Sequence, residues 1–375
     1  MFYIVSTSLA FLLALILFTK DGKTKADLIL ACWLVIIGIH LTFYYITLVA
    51  DPYYSPYLLV GYPFPLFHGP MLYLYTASLT AQHSYLRRHW AWHFTPAILV
   101  YILMVPFFIL PLQEKLQVLE NQGKGYEWLF LIHRVLVYVS GVAYAALSLW
   151  LLRMHKQAVR ERYSQVEKIN LAWLRYLTYS VMLVWLAVFL GNNLIIFSLV
   201  GLFVMFLGYF GIKQVGIFTQ SPAIAFAESK PASEEKENSP VLQARARYLK
   251  SNLSAETQQV INQKLKAVMA GQKLFLNPEL TLAELANTLA VHPNHLSQVI
   301  NSMESKTFYD FINGLRIDEF KRLVAQPENQ KYTLLGLAFE CGFNSKTAFY
   351  RNFKNATGLT PTLYLKQKHI QIQED

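Results

Sequence analysis

Gly342-Phe343-Asn344-Ser345-Lys346-Thr347-Ala348-Phe349-Tyr350-Arg351-Asn352-Phe353-Lys354 decides how the rest of this chain is read. The stretch has the form of the turn and second helix of a helix-turn-helix. Gly342 supplies the tight turn, Ser345 caps the helix, and Phe349 and Phe353, one turn apart, fall on a buried face. Thr347, Tyr350, Arg351 and Lys354 then share the opposite face, with Lys346 at its start. That face is polar and basic, and suited to a major groove.

A related unit precedes it. Thr281-Leu282-Ala283-Glu284 is a capping box that opens a short helix, Val291-His292 makes a turn, and Pro293 takes the first position of the next helix. On that helix Leu296, Val299 and Ile300 point inward, while Asn294, Ser297, Gln298 and Asn301 share the outer face. Asparagine and glutamine amides pair in bidentate fashion with adenine edges. A connecting helix over about 306–325 buries Phe308, Phe311, Ile312, Leu315, Phe320 and Leu323. Thr333 caps the first helix of the second unit, and Gly358-Leu359-Thr360-Pro361 closes it.

Working outward, the chain changes regime. Of its 375 residues 54% are hydrophobic and only 15% charged, but the apolar excess lies before about Ile212. Seven apolar segments are expected there, at about 2–19, 26–49, 57–80, 93–112, 127–152, 171–191 and 194–212. The charges between them alternate. Lys20, Lys23 and Lys25 lie in one loop, Arg87 and Arg88 in another, and Arg153, Lys156, Arg160, Arg162 and Lys168 in a third. The intervening loops carry none, or only Lys115 and Lys124 beside Glu114 and Glu120. This bias places the N-terminus outside and the C-terminus in the cytoplasm. No basic stretch precedes the first apolar run, so it reads as a retained span and not a cleaved signal peptide. Residues 213–240, rich in Ser, Pro, Glu and Lys, read as a flexible tether, through which clustering of bundles would act as proximity.

The net charge of +10 suits phosphates of either nucleic acid or lipid headgroups. Cys32 and Cys341 have no metal-ligand spacing, so neither a disulfide nor a zinc site is expected. No His-Glu-x-x-His, nucleophile elbow or phosphate-binding glycine loop appears, and neither catalytic residues nor a cofactor are expected. A retinal protein would need a lysine inside the seventh span, and 194–212 has none. Inside the apolar region His40, His68, His133 and Arg134 stand out as an intramembrane signal site, weighed against structural roles. Gly61-Tyr62-Pro63-Phe64-Pro65 through Gly69-Pro70 reads as a broken third span, either a hinge or a static bend.

The double motif resembles the DNA-binding domain of the AraC/XylS family of bacterial transcription regulators, over about Ala244 to Lys368. The carriers are Leu282-Ala283-Glu284-Leu285-Ala286, His295 through Asn301, Phe311-Ile312-Asn313 with Arg316-Ile317, and Gly342-Phe343 through Thr360-Pro361. The whole chain is similar to the membrane-embedded, seven-span members of that family found in Bacteroidetes-type bacteria. The resemblance implies Asn294, Ser297, Gln298, Lys346, Thr347, Tyr350 and Arg351 as base-reading residues; Lys354, on the same basic face, is expected on DNA through phosphate. His292 stands where a Ser or Thr cap is usual, Gly314 interrupts the connecting helix, and Leu365 replaces a basic residue.

The expected fold is all-α: a seven-helix transmembrane bundle over 1–212, the linker 213–240, and a soluble double helix-turn-helix domain over 241–375. The expected function is a membrane-anchored, sequence-specific transcription regulator in the bacterial inner membrane that couples a signal felt by the bundle to transcription. Its expected partners are operator DNA, bound as a homodimer, the lipid bilayer, RNA polymerase, and a small-molecule or membrane signal. A transporter or intramembrane enzyme with an attached regulatory DNA-binding domain is the alternative.

Overall fold

The computed structural model describes residues 1–49, 60–80, 89–166, 171–213, 253–370 and 372. The linker expected over 213–240, beyond Lys213, lies outside the described residues, as do Arg87, Arg88 and Lys168. Among the described residues every regular element is helical, apart from an isolated antiparallel bridge between Tyr163 and Thr281. Contacts divide the chain into two units. One takes the described residues up to 154 and 171–213; the other takes 155–166 and those from 253 onward.

The first unit comprises α1 (Phe2–Thr19), α2 (Lys25–Val49), α3 (Pro65–Leu79), a 3-10 turn (Trp90–Phe94) leading into α4 (Thr95–Phe108), α5 (Leu112–Glu120), most of α6 (Glu127–Arg160), α7 (Ala172–Leu190) and α8 (Asn193–Lys213). Among the described residues five helices are long and apolar enough to cross a membrane: Phe2–Thr19, Lys25–Val49, Trp90–Phe108, Glu127–Arg160 and Trp173–Leu190. The other two expected spans are shorter as described. α3 has 15 residues, a rise of about 22 Å against a hydrocarbon core of about 30 Å, and α8 counts as a shorter apolar helix over Asn193–Tyr209.

The turns explain these limits. Asp27 sits at the start of α2, where it accepts from the Thr24 N–H (2.7 Å) and hydroxyl (2.9 Å) and pairs with Lys20 at 3.1 Å. Carboxylate, cap and helix N-terminus therefore hold the first turn shut. The break expected at 61–70 resolves into a turn over 60–64, after which α3 starts at Pro65 and continues through Pro70. Gly191, in the left-handed region at φ 69°, ends α7, and the Asn192 side chain accepts from the Ile195 N–H, so the last two apolar segments are separate helices.

Leu30, Trp33, Leu34, Leu72, Phe107, Leu177 and Val204 belong to one buried cluster. The outward faces are apolar as well. On α6 Leu129 and Val137 are buried, while Leu131, Val135, Val139 and Val142 are exposed. Helices with large apolar side chains on both faces are consistent with membrane association. Helix α6 continues to Arg160, beyond the expected end near 152, because Arg153 to Arg160 contains no glycine or proline.

In the second unit α9 (Ala255–Gln272) precedes α10 (Leu282–Thr288), α11 (Pro293–Met303), α12 (Phe308–Val324), α13 (Leu334–Glu340), α14 (Lys346–Thr357) and α15 (Pro361–Gln367). Two cores form, and α12 feeds both. Its first half gives Phe308, Phe311 and Ile312 to the core with Leu265, Leu285, Leu296 and Ile300. Its second half gives Ile317, Phe320 and Val324 to the core with Leu337, Phe343, Phe349 and Phe353. Gly314 lies between the halves without ending the helix, and a Cβ there would meet only the end of the Lys306 side chain. Leu365 belongs to the second core and not to a phosphate-facing surface. Burial pushes the Cys341 thiol up to about 12.

Candidate nucleic-acid interface

Each helix-turn-helix presents its second helix, α11 or α14, with a polar outer face over a buried apolar one. Helix α10 opens on the expected capping box, with Thr281 and Glu284 bonded reciprocally. At the start of α11 the His292 Nδ1 accepts from the Asn294 N–H at 3.2 Å, so histidine performs the capping for which the sequence offered no Ser or Thr. Leu296, Val299 and Ile300 are buried, Ser297 and Gln298 are half-buried, and Asn294 and Asn301 are exposed.

Helix α14 is capped by the Ser345 hydroxyl, which accepts from the Ala348 N–H at 3.2 Å, and ends at Gly358 in the left-handed region. Phe349 and Phe353 are fully buried. Lys346, Thr347, Arg351 and Lys354 are exposed and Tyr350 is half-buried, with the Lys346 ammonium 5.6 Å from the centre of the Tyr350 ring. The turn before α14 is tightly constrained. Gly342 has φ 90°, and a Cβ there would stand 2.7 Å from the Phe275 carbonyl oxygen and 2.9 Å from the Arg316 Nε.

Three side chains that set the relation of the two reading helices were not assigned that role from sequence. Arg316 on α12 is fully buried and donates from Nε to the Phe275 carbonyl (2.7 Å) and from Nη2 to the Asn277 carbonyl (2.8 Å). It thus ties the turn after α9 to the connecting helix, directly beside Gly342. The Tyr309 hydroxyl accepts from Arg351 Nη2 (2.7 Å) and from Asn352 Nδ2 (2.6 Å), which anchors α14 to the start of α12. A signal for Arg316 existed: it falls on the stripe of Phe308, Ile312 and Phe320, so its burial was implied by spacing. Tyr309 and Asn352 carry no such mark.

In the first unit the structure brings only part of the expected signal site together. The Trp33 indole N–H donates to His68 Nδ1 at 3.2 Å, and His68 Nε2 lies 3.0 Å from His40 Nδ1, with the rings stacked. Because the indole can only donate, neutral His68 carries its proton on Nε2 and donates it to His40. His133 packs instead on Tyr62, with ring centres 4.0 Å apart, and Arg134 is exposed. Among the described residues no group of three or more His, Cys, Asp or Glu could hold a metal ion.

Comparison with known proteins bears on the second unit. Residues 285–367 match the family described as "Helix-turn-helix domain". Over 150 residues the chain is 23% identical to the uncharacterized HTH-type transcriptional regulator YijO of Escherichia coli (strain K12), which covers 37% of this chain and 52% of that protein. It is 28% identical over 103 residues to the HTH-type transcriptional regulator CdhR of Pseudomonas aeruginosa, covering 28% of this chain and 30% of the other. With the uncharacterized HTH-type transcriptional regulator YobQ of Bacillus subtilis (strain 168) identity is 32% over 85 residues, covering 23% of this chain and 34% of the other. The chain therefore spans about half, or less, of the length of these relatives. No solved structure matches it. The second unit contains a helix-turn-helix domain similar to those of bacterial transcription regulators.

Proposed function

We propose that this chain is a membrane-embedded transcription regulator of the seven-span AraC/XylS type, reading operator DNA from the cytoplasmic side. The observation that carries the reading is the pair of capped reading helices with polar outer faces, in one chain with helices that expose large apolar side chains on their outer surfaces. Asn294, Ser297 and Gln298 contact base edges from α11. Lys346, Thr347, Tyr350 and Arg351 do so from α14, and Lys354 contacts phosphate. Two chains occupy paired half-sites and engage RNA polymerase. The stacked His40 and His68 are the part of the apolar unit that meets the signal.

Selection from a random-sequence duplex library by the full chain in lipid nanodiscs tests the DNA reading. Enrichment of one sequence class is expected, with affinity that falls steeply as salt rises. Recovery of a random pool, or no binding at low salt, would overturn it. Orientation is tested separately: a C-terminal green fluorescent fusion is expected to fluoresce and a C-terminal alkaline phosphatase fusion to be inactive.

A further inference from the structure

Residues 155–166, the end of α6 and the stretch after it, belong to the same compact unit as the helix-turn-helix pair. They are firmly seated. The Leu282 N–H donates to the Arg162 carbonyl at 2.9 Å and the Ser164 N–H to the Leu280 carbonyl at 3.3 Å, so this stretch pairs strand-fashion with the residues entering α10. Val159, Tyr163 and Val166 cluster with Tyr309, the residue that holds Arg351. The Ser164 carbonyl accepts from Asn313 at 3.0 Å and its hydroxyl from Arg316 at 3.2 Å.

From this seat two side chains reach the reading surface. One Glu161 carboxylate oxygen accepts from the Ser297 hydroxyl at 3.3 Å and from the Asn301 amide at 3.2 Å. The Gln165 side-chain carbonyl accepts from the Asn344 amide, immediately before the cap of α14. Ser297 and Asn301 lie on the outer face of α11, where water could satisfy them equally well, so folding does not require Glu161 there. A carboxylate in that place repels phosphate and takes donors that a base edge would use. Arg316 also reaches the Phe275 and Asn277 carbonyls, bonds between the two helix-turn-helix units that the segment does not supply.

We propose that residues 155–166 form an autoinhibitory strap, whose Glu161 carboxylate is an internal competitor that DNA must displace from the reading surface. This rests on the assignment of α11 to DNA. The strap follows the apolar part of α6 directly in sequence. The strap lowers apparent affinity by the fraction of time it is docked.

The test uses the full chain in nanodiscs and the duplex class enriched from the random library. Glu161→Ala is expected to tighten binding about fivefold to twentyfold, since two hydrogen bonds to a charged group and its repulsion are removed. Glu161→Gln, which keeps an acceptor but removes the charge, is expected to fall between it and the wild type. Hydrogen exchange on the unaltered chain is the second arm: adding DNA should speed exchange of the Ser164 and Leu282 amides. Equal affinity of wild type and Glu161→Ala, or amides that stay protected with DNA bound, would overturn the strap and leave the DNA reading standing. Failure of wild type and variant alike to enrich any sequence would overturn both.

Discussion

The two reading helices share one frame and differ in chemistry. Each is entered through a side-chain cap, packed on its own core, and held against one end of α12. Yet the outer face of α11 carries neutral groups, Asn294, Ser297, Gln298 and Asn301, while that of α14 carries Lys346, Arg351 and Lys354. The difference teaches that a common scaffold can divide its labour. The amide-rich face is suited to discriminating bases, and the basic face adds the attraction that makes binding salt-dependent.

The most damaging way to break the comparison is to remove the link between the halves. Arg316→Ala leaves the buried Phe275 carbonyl without its donor, takes one of two donors from the Asn277 carbonyl, and should cost about 3–5 kcal/mol. Thermal unfolding with hydrogen exchange across α10 to α14 should then show both reading helices loosening together. Gly342→Ala acts on α14 first. A left-handed backbone and a carbonyl within contact distance of the new Cβ should cost about 2–4 kcal/mol, with exchange rising in α13 and α14 before α10 and α11.

Single-contact changes sharpen the contrast. Arg351→Ala should lose about 1–3 kcal/mol of discrimination at its base position in competition titrations. Lys354→Ala should weaken all sequences alike and reduce the salt slope by about one. If both variants alter sequence preference equally, the division of labour along α14 is wrong. At the caps, Ser345→Ala should cost about 1 kcal/mol in denaturant melts. Because His292 already caps α11, His292→Ser should change stability by less than about 0.5 kcal/mol. A larger gain would mean that the imidazole caps poorly.

The smallest effect is one of pH. A hydrogen bond from Arg322, helped by Lys273, holds the Glu319 carboxyl down at about 2. A carboxyl lowered by folding contributes stability above its ordinary value near 4.5 and loses it as pH falls toward 2. Glu319→Gln should therefore lower the neutral plateau of the melting profile of the second unit modestly, flatten its acid limb, and leave stability near pH 2 little changed.

Much of this architecture was legible because periodicity and capping are local. The stripe of Leu296, Val299 and Ile300, the box at Thr281 and Glu284, and the pair Phe349 and Phe353 all specify helices and their inner faces within a few residues. What escaped reading is long-range. Nothing near Glu161 says that its carboxylate meets Ser297 and Asn301, and nothing near Tyr309 says that it receives Arg351. The cap at His292 was missed for a chemical reason: a ring nitrogen can accept as a hydroxyl does, but is seldom counted as a cap. The segment after residue 152 read as a plain basic loop because its charges also answer the orientation bias, which hid the contacts it makes within the second unit.

The sealed thiol of Cys341 gives the second core its own reporter. Alkylating reagents attack the thiolate, and a side chain that is fully buried and reluctant to ionise stays unmodified while α13 is in place. Labelling of this sulfur therefore runs only as fast as the surrounding helices open. Followed over time in intact cells, it would count those openings one molecule at a time, with no fluorophore, fusion or engineered residue added to the chain.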